Sequence, residues 1–219
     1  ISHGFQFAGA AHRSEPTSYF VPKSGVGRVL SERKGARTVV VLGLGVGTLS
    51  TYARPGDHFE FYEINPDVIT AAERDFTYLS QADGVTRVRL GDGRLLAKTL
   101  VDESVDTFVV DAFTGDAIPA HLITVEALDL YWERLKPMGV LAINVSNRHA
   151  DLWRVVQAYA RLRSFAVSRV RHTTPSPLGV YTSDWILMSR TPGVLEALNL
   201  EPWVGEVSAD VLWTDDYAP

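Results

Sequence analysis

Three carboxylates and a glycine-rich turn are the residues of this chain whose spacing can do chemistry. Val39-Val-Val-Leu-Gly-Leu-Gly-Val-Gly-Thr48 runs from a β-branched stretch into a turn carrying Gly43, Gly45 and Gly47. Phe59-Glu-Phe-Tyr-Glu63 reads as a second strand, and Glu63 follows Gly43 by 20 residues. That is the layout of a nucleoside-binding βαβ unit. The glycines let backbone approach a ligand closely, and the acid accepts hydrogen bonds from ribose hydroxyls. Two further acids close later strands, Asp92 within Gly91-Asp-Gly93 and Asp111 after Phe108-Val-Val110. In an open α/β sheet, ligands bind beyond the carboxyl ends of the strands. The expected ligand is therefore an adenosine-containing molecule lying across Gly43, Gly45, Gly47, Glu63, Asp92 and Gly93.

Each residue has a plainer reading. The glycines can serve a tight strand–helix turn alone. Glu63 can be an exposed strand-end acid, and Asp92 can be only a helix N-cap. Asp111 is harder to explain away, because an acid closing a buried strand is costly unless solvated or partnered. His3 and His121 have no metal-ligand spacing and read as loop or packing residues, so no metal is expected. There is no Gly-x-Ser-x-Gly elbow, and the glycine turn lacks the Gly-Lys-Ser/Thr of a phosphate-binding loop.

The elements that must position these residues follow from periodicity. Strands are expected at Thr38–Leu42, Phe59–Glu63, Thr86–Leu90, Thr107–Asp111 and Val140–Val145. Helices are expected at 27–33, from Thr48, and at Pro66–Asp75, Gly93–Leu100, Val125–Leu135 and Asp151–Arg161. Alternation of this kind implies a parallel sheet with helices on both faces. Ala166–Arg171 and Val180–Leu187 read as a terminal antiparallel pair at its edge. Residues 1–24 read as a separate N-terminal β segment, with short strands or extended segments at 5–8 and 18–21, contributing to the substrate site. Residues 25–219 form the Rossmann-like nucleoside-binding domain.

Composition sets the outer bounds. With 219 residues, 46% hydrophobic and 21% charged, the chain can bury one sizeable core. The net charge of −5 and the lack of a Lys/Arg cluster argue against a nucleic-acid surface. Without cysteine there is no disulfide and no thiolate chemistry. No apolar run approaches the roughly 18–20 residues of a membrane span, and no signal peptide is visible. The first residue is Ile1, which is expected of a trimmed product or a piece of a longer parent protein.

The ordered motifs resemble the spermidine/spermine synthase family, the polyamine aminopropyltransferases, and look closest to a divergent bacterial branch. Some members of that branch are fused to membrane-transporter-like segments. His3-Gly-Phe-Gln6 is similar to the family's early glycine–glutamine motif, and Ser18-Tyr19 to its tyrosine-bearing segment. Ser24-Gly-Val-Gly27 resembles the stretch before the first core helix. Asp111-Ala-Phe-Thr-Gly-Asp-Ala-Ile-Pro-Ala-His-Leu122 resembles the gate loop that starts with the catalytic aspartate, and Tyr181-Thr-Ser-Asp-Trp185 the late aromatic segment.

The resemblance implies a Rossmann-like S-adenosylmethionine-dependent-transferase fold. It also implies transfer of an aminopropyl group from decarboxylated S-adenosylmethionine to an amine, with release of methylthioadenosine. By it, Asp111 is the base, Gln6, Glu63 and Asp92 hold the donor, and Tyr19, Asp116, Tyr181 and Trp185 orient a small-molecule amine acceptor. It further implies a tendency to homodimerise, and a cytoplasmic protein or a cytoplasmic domain of a membrane protein. Two positions depart from the family pattern. Val46 stands where an aspartate is usual in the glycine loop, and Phe20-Val21-Pro22 lacks the acid after the tyrosine. Asp116, Asp184 or Asp215-Asp216 are candidates to supply the missing charge. A methyltransferase acting on intact S-adenosylmethionine is thus the second reading, and a non-catalytic nucleoside-binding domain of a larger membrane protein the third.

Overall fold

The computed structural model describes residues 4–32, 35–113, 118–147, 150–173, 179–205 and 212–217. Its centre is the run Val39–Leu42 at the heart of β1 (Thr38–Leu42), fully buried on both faces. β1 pairs in parallel with β2 (His58–Glu63) on one side and β4 (Val105–Val110) on the other. β3 (Val85–Leu90) flanks β2, and β5 (Leu135–Asn144) flanks β4. β7 (Ser183–Ser189) and β6 (Ala166–His172) complete the sheet as antiparallel neighbours, giving the order β3-β2-β1-β4-β5-β7-β6. This is the expected Rossmann-like α/β architecture with its antiparallel edge.

Strand alternation divides the core in two. Val40, Leu42, Phe108 and Val110 face one apolar cluster, which includes Leu128 and Tyr131 of α4 (Val125–Arg134) and Val156 and Tyr159 of α5 (Leu152–Leu162). Val39, Val41 and Val109 face the other, with Val26, Val29 and Leu30 of α1 (Gly25–Glu32). Helix starts follow local capping chemistry. Asn65 accepts the Asp67 N–H at 2.9 Å ahead of α2 (Pro66–Asp75), and Pro66 takes a first-turn position where no amide hydrogen is needed. Among the described residues no helix is long and apolar enough to cross a membrane.

Four expectations need correction. Among its described residues the N-terminal segment forms bends and turns, with a bridge from Ser18 to Val180. Its polar groups are satisfied by side chains instead of a ladder: Thr17 Oγ1 donates to the Phe5 carbonyl at 2.5 Å. The element after the glycine turn is a short 3₁₀ helix, Thr48–Tyr52. There the Ser50 and Thr51 hydroxyls bond back to the Gly47 and Thr48 carbonyls, and Pro55 lies just beyond. The fifth strand begins at Leu135 and not at Val140, because β5 absorbs Pro137-Met-Gly139 as a bulge between Leu135 opposite Val105 and Val140 opposite Thr107. β7 starts at Ser183, three residues later than read.

A buried ion pair ties the opposite end of the sheet. Arg37 Nε donates to Asp57 Oδ2 at 3.0 Å, with each side chain 1% exposed. The same guanidinium donates to the carbonyls of Leu30 (2.6 Å) and Tyr52 (2.7 Å), joining α1, the 3₁₀ turn and the entry to β1. Removing one partner strands the other charge in a dry site. Arg37→Met is expected to cost about 3–5 kcal/mol in urea unfolding, whereas Arg74→Met at an exposed pair should leave the midpoint unchanged. A loss below about 1 kcal/mol for Arg37→Met would show that water reaches Asp57.

Candidate active site

The strand order reverses between β1 and β4, so a crevice opens beyond their carboxyl ends. The glycine turn lines it. Gly43, Gly45 and Gly47 all have positive φ (94°, 55° and 81°), the region that glycine enters without a steric cost. Gly43 is constrained twice, since a Cβ there would lie 2.5 Å from the Asp111 carbonyl oxygen. Glu63 faces this turn: Oε2 accepts the Leu44 N–H and Oε1 the Asn65 N–H, both at 3.0 Å. Two backbone amides thus orient the carboxylate, which keeps lone pairs for a ligand. Ile64 and Leu90, exposed at the ends of β2 and β3, put apolar surface beside it.

Asp92 does cap a helix. Its Oδ1 accepts the Leu95 N–H at 2.9 Å, opening α3 (Gly93–Ala97), while Oδ2 lies 3.1 Å from His121 Nε2. Gly93 has a packing reason as well, because a Cβ there would meet Leu42 Cγ at 2.6 Å. His121, read from sequence as a loop or packing residue, therefore stands at the acid cluster. Arg94 steadies that turn by donating to the His121 carbonyl at 3.1 Å. It also grips Asp215 with two bonds of 2.7 and 2.6 Å, which hold the Asp215 carboxyl down at about 2.

Asp111 follows the last residue of β4. Asn144, closing β5, donates its side-chain amide to Asp111 Oδ1 at 2.7 Å and accepts the Ser146 N–H at 3.0 Å. Burial pushes the Asp111 carboxyl up to about 8, and the Asn144 bond works against that push. The Tyr19 phenol is raised by its own burial and then by the nearby Asp111 charge, so it faces the acid as a neutral hydroxyl. Ser18, at φ 61°, is held from both sides: its N–H donates to the Gly179 carbonyl (2.9 Å), and its carbonyl accepts the Tyr181 N–H (3.2 Å). One strained residue so places Tyr19 and Tyr181 near each other.

The remaining expected residues lie elsewhere or are occupied. Gln6 spends its amide on Arg13 and Thr77, pinning the N-terminal segment to the turn at 77. Trp185 is fully buried in the core on interior strand β7, opposite Asn144, with Gly25 against its ring. Asp184 is neutralised by Arg169 (2.9 and 2.5 Å) with Arg171 at 3.7 Å, and Asp215 by Arg94. Each already has an arginine as its partner. His3, Asp116 and residues 114–117 of the loop after Asp111 lie outside the described residues. Val46 packs near the N-terminal segment, 2.7 Å from where a Cβ on Gly4 would be. Among the described residues no cluster of three or more His, Asp or Glu could hold a metal. Sequence reasoning missed the role of Asn144, although a polar residue closing the apolar run Val140–Ile143 was its signal.

Comparison with known proteins bears on this geometry. Over 111 residues the chain is 38% identical to the polyamine aminopropyltransferase of Vibrio vulnificus (strain CMCP6). The expected kinship with the aminopropyltransferases is borne out over that stretch. The match takes in 48% of this chain and 36% of the relative, so the chain spans about a third of that protein's length. No protein-family model matches. Among solved structures, a probable spermidine synthase from Corynebacterium glutamicum ATCC 13032 superposes with a TM-score of 0.59 at 20% identity, over 80% of this chain and 66% of that one. Human methyltransferase-like protein 13 in complex with SAH does so at 0.60 and 19%, over 80% and 86%. At these identities the structures establish a shared fold, the Rossmann-like one of these transferases.

The raised Asp111 carboxyl makes a stability prediction. Between about pH 4 and 8 the folded chain keeps a proton that the unfolded chain releases. Stability from this group is complete below the lower limit and is lost as pH rises through 8. Asp111→Asn should therefore melt above the parent at pH 9, by on the order of 10 °C, and match it near pH 4. A melting difference that ignores pH would show that the carboxyl is not shifted.

Proposed function

We propose that this chain carries the nucleoside-binding and catalytic part of an aminopropyltransferase, acting on decarboxylated S-adenosylmethionine and a polyamine-like amine. The observation that carries this reading is Asp111: a carboxyl pushed up to about 8, at the crevice, beside the glycine turn and Glu63. The likeness to the Vibrio vulnificus polyamine aminopropyltransferase supports it. The SAH complex of the human fold neighbour supports a donor of the same nucleoside class.

The reaction needs little beyond placement and one proton acceptor. The acceptor nitrogen forms a bond to the donor methylene, the carbon–sulfur bond breaks, and its electron pair neutralises the sulfonium to give methylthioadenosine. A free alkyl ammonium has a pKa near 10, so the nitrogen must shed a proton. An Asp111 titrating at about 8 is far better matched to take it than an ordinary carboxylate. Glu63, already aimed by the Leu44 and Asn65 amides, would accept the ribose hydroxyls. Ile64 would seat the base, and Asp92 would meet its amino group in place of His121. Tyr19 and Tyr181 would line the acceptor's methylene chain, with Asp116 on the loop beyond Asp111. Gln6 would act at one remove, by anchoring the segment that carries Tyr19.

Val46 supports a second reading, an enzyme using intact S-adenosylmethionine. A neutral side chain there offers no counter-charge to a donor amine and does not repel a donor carboxylate. Val46→Asp should shift binding preference towards the decarboxylated donor.

Two variants test the main reading. Glu63→Ala should weaken methylthioadenosine by about 10–150-fold, the worth of 1.5–3 kcal/mol of bonds to a charged acceptor. Asp111→Asn should lower turnover by about 10²–10⁴-fold while leaving methylthioadenosine affinity close to the parent's. Undiminished turnover in Asp111→Asn would remove it from the chemistry. Undiminished nucleoside affinity in Glu63→Ala would displace the ribose from β2.

A further inference from the structure

We propose that Asn144 is a positioning residue whose side-chain amide, locked by Ser146, occupies Asp111 Oδ1 and leaves proton acceptance to Oδ2 alone. The proposal rests on Asp111 acting as the base. Asn144 is 1% exposed, so its amide must find partners within the protein. Its oxygen accepts the Ser146 N–H at 3.0 Å, which turns the NH₂ group towards Asp111, 2.7 Å away. The flipped amide would set two acceptors against each other and face one donor with another.

The lock is itself anchored. Ser146 Oγ accepts the Asp184 N–H at 2.9 Å, and the Val145 N–H donates to the Asp184 carbonyl at 2.8 Å. Asp184 is gripped by Arg169, whose guanidinium lies over the rings of Trp153 (4.6 Å) and Trp203 (5.1 Å). The end of β5 thus cannot easily turn the Asn144 amide away. Among the described residues Asp111 Oδ2 accepts no hydrogen bond, and it is the oxygen left for an incoming N–H.

The same contact sets the pH at which Asp111 works. Burial drives the carboxyl up, and the Asn144 donor is what holds it at about 8. Without that donor it would stay protonated further into the alkaline range and accept nothing at neutral pH. The other groups around it are few. Tyr19, on the N-terminal segment, stays neutral. The turn Gly43–Gly47 carries no charged side chain. On β7, Asp184 is already paired with Arg169 and Arg171.

The test uses Asn144→Leu, which keeps volume without a donor, and Asn144→Ser, which keeps a smaller donor and serves if the leucine variant fails to fold. Asp111 is titrated by carboxyl carbon-13 resonance in the substrate-free protein. Turnover is followed from pH 6 to 10 with decarboxylated S-adenosylmethionine and putrescine, and methylthioadenosine affinity is measured alongside. The Asp111 midpoint should rise by about one unit or more in Asn144→Leu and by less in Asn144→Ser. Turnover at pH 7 should fall by roughly 10-fold and recover towards the parent above pH 9, with nucleoside affinity within about 2-fold. An unmoved midpoint, or a loss of turnover equal at every pH, would overturn the proposal and leave Asn144 a structural residue. Full turnover in Asp111→Asn would instead defeat the assignment of the base, while the resonance midpoint would still decide what Asn144 does to Asp111.

Discussion

The backbone contact between Gly43 and Asp111 is the constraint on which the candidate site depends. β1 and β4 run in parallel with Leu42 opposite Val110, so the residues after each strand must share the same narrow space. The Asp111 N–H bonds to the Leu42 carbonyl at 2.9 Å, and a Cβ on Gly43 would collide with the Asp111 carbonyl. Only glycine lets the two chains part at that point, one into the turn and one into the loop bearing the acid. Because β2 is registered to β1, Glu63 arrives at the same level. Glu63 and Asp111 are thereby placed at the same end of the sheet by one ladder.

The sheet was legible because its signals are local and repeated. A run such as Val39–Leu42 can only be a strand buried on both faces, and Asn65-Pro66 announces a helix wherever it is folded. The acids at the ends of β2, β3 and β4 follow from that reading alone. The parts that were not legible are set by partners distant in sequence. Trp185 lies opposite Asn144 because β7 sits between β5 and β6, a neighbour relation that no spacing reveals. Asp184 looks like a spare charge until Arg169, 15 residues away on the paired strand, is placed against it. His121 reads as an ordinary loop residue until α3 brings Asp92 to its ring. The N-terminal segment was misread as strands because Phe5, Phe7, Tyr19 and Phe20 have strand-like composition. Their order comes instead from ring contacts such as Phe5 with Tyr181, and from the Tyr78 hydroxyl, 3.2 and 3.0 Å from the Phe5 and Glu15 carbonyls.

That segment, without a strand among its described residues, is ordered by side-chain bonds. Thr17, Gln6 and Tyr78 secure its backbone, and Ser18 adopts a conformation that β-branched residues avoid. The outcome is that Tyr19 reaches the vicinity of Asp111 from outside the sheet. Its partly buried, neutral phenol contributes to a surrounding in which a charged carboxylate is poorly solvated.

The acids at the crevice show how one residue type is given different tasks by its surroundings. Glu63 receives two backbone N–H groups, which fix its carboxylate against the glycine turn. Asp92 spends one oxygen on a helix start and offers the other at the surface, where His121 now sits. Asp111 has one neutral amide donor and a desolvated setting, too little to keep it ionised as an ordinary aspartate. Pairing it with an arginine, as Asp184 and Asp215 are paired, would make a better-stabilised fold and a much weaker base. Asn144 stands between those extremes. It gives enough stabilisation to let the carboxylate form near neutral pH, and leaves it unsatisfied enough to take up a proton. The instability that Asp111 brings to the folded state above its midpoint is therefore the same free energy that raises its affinity for a proton.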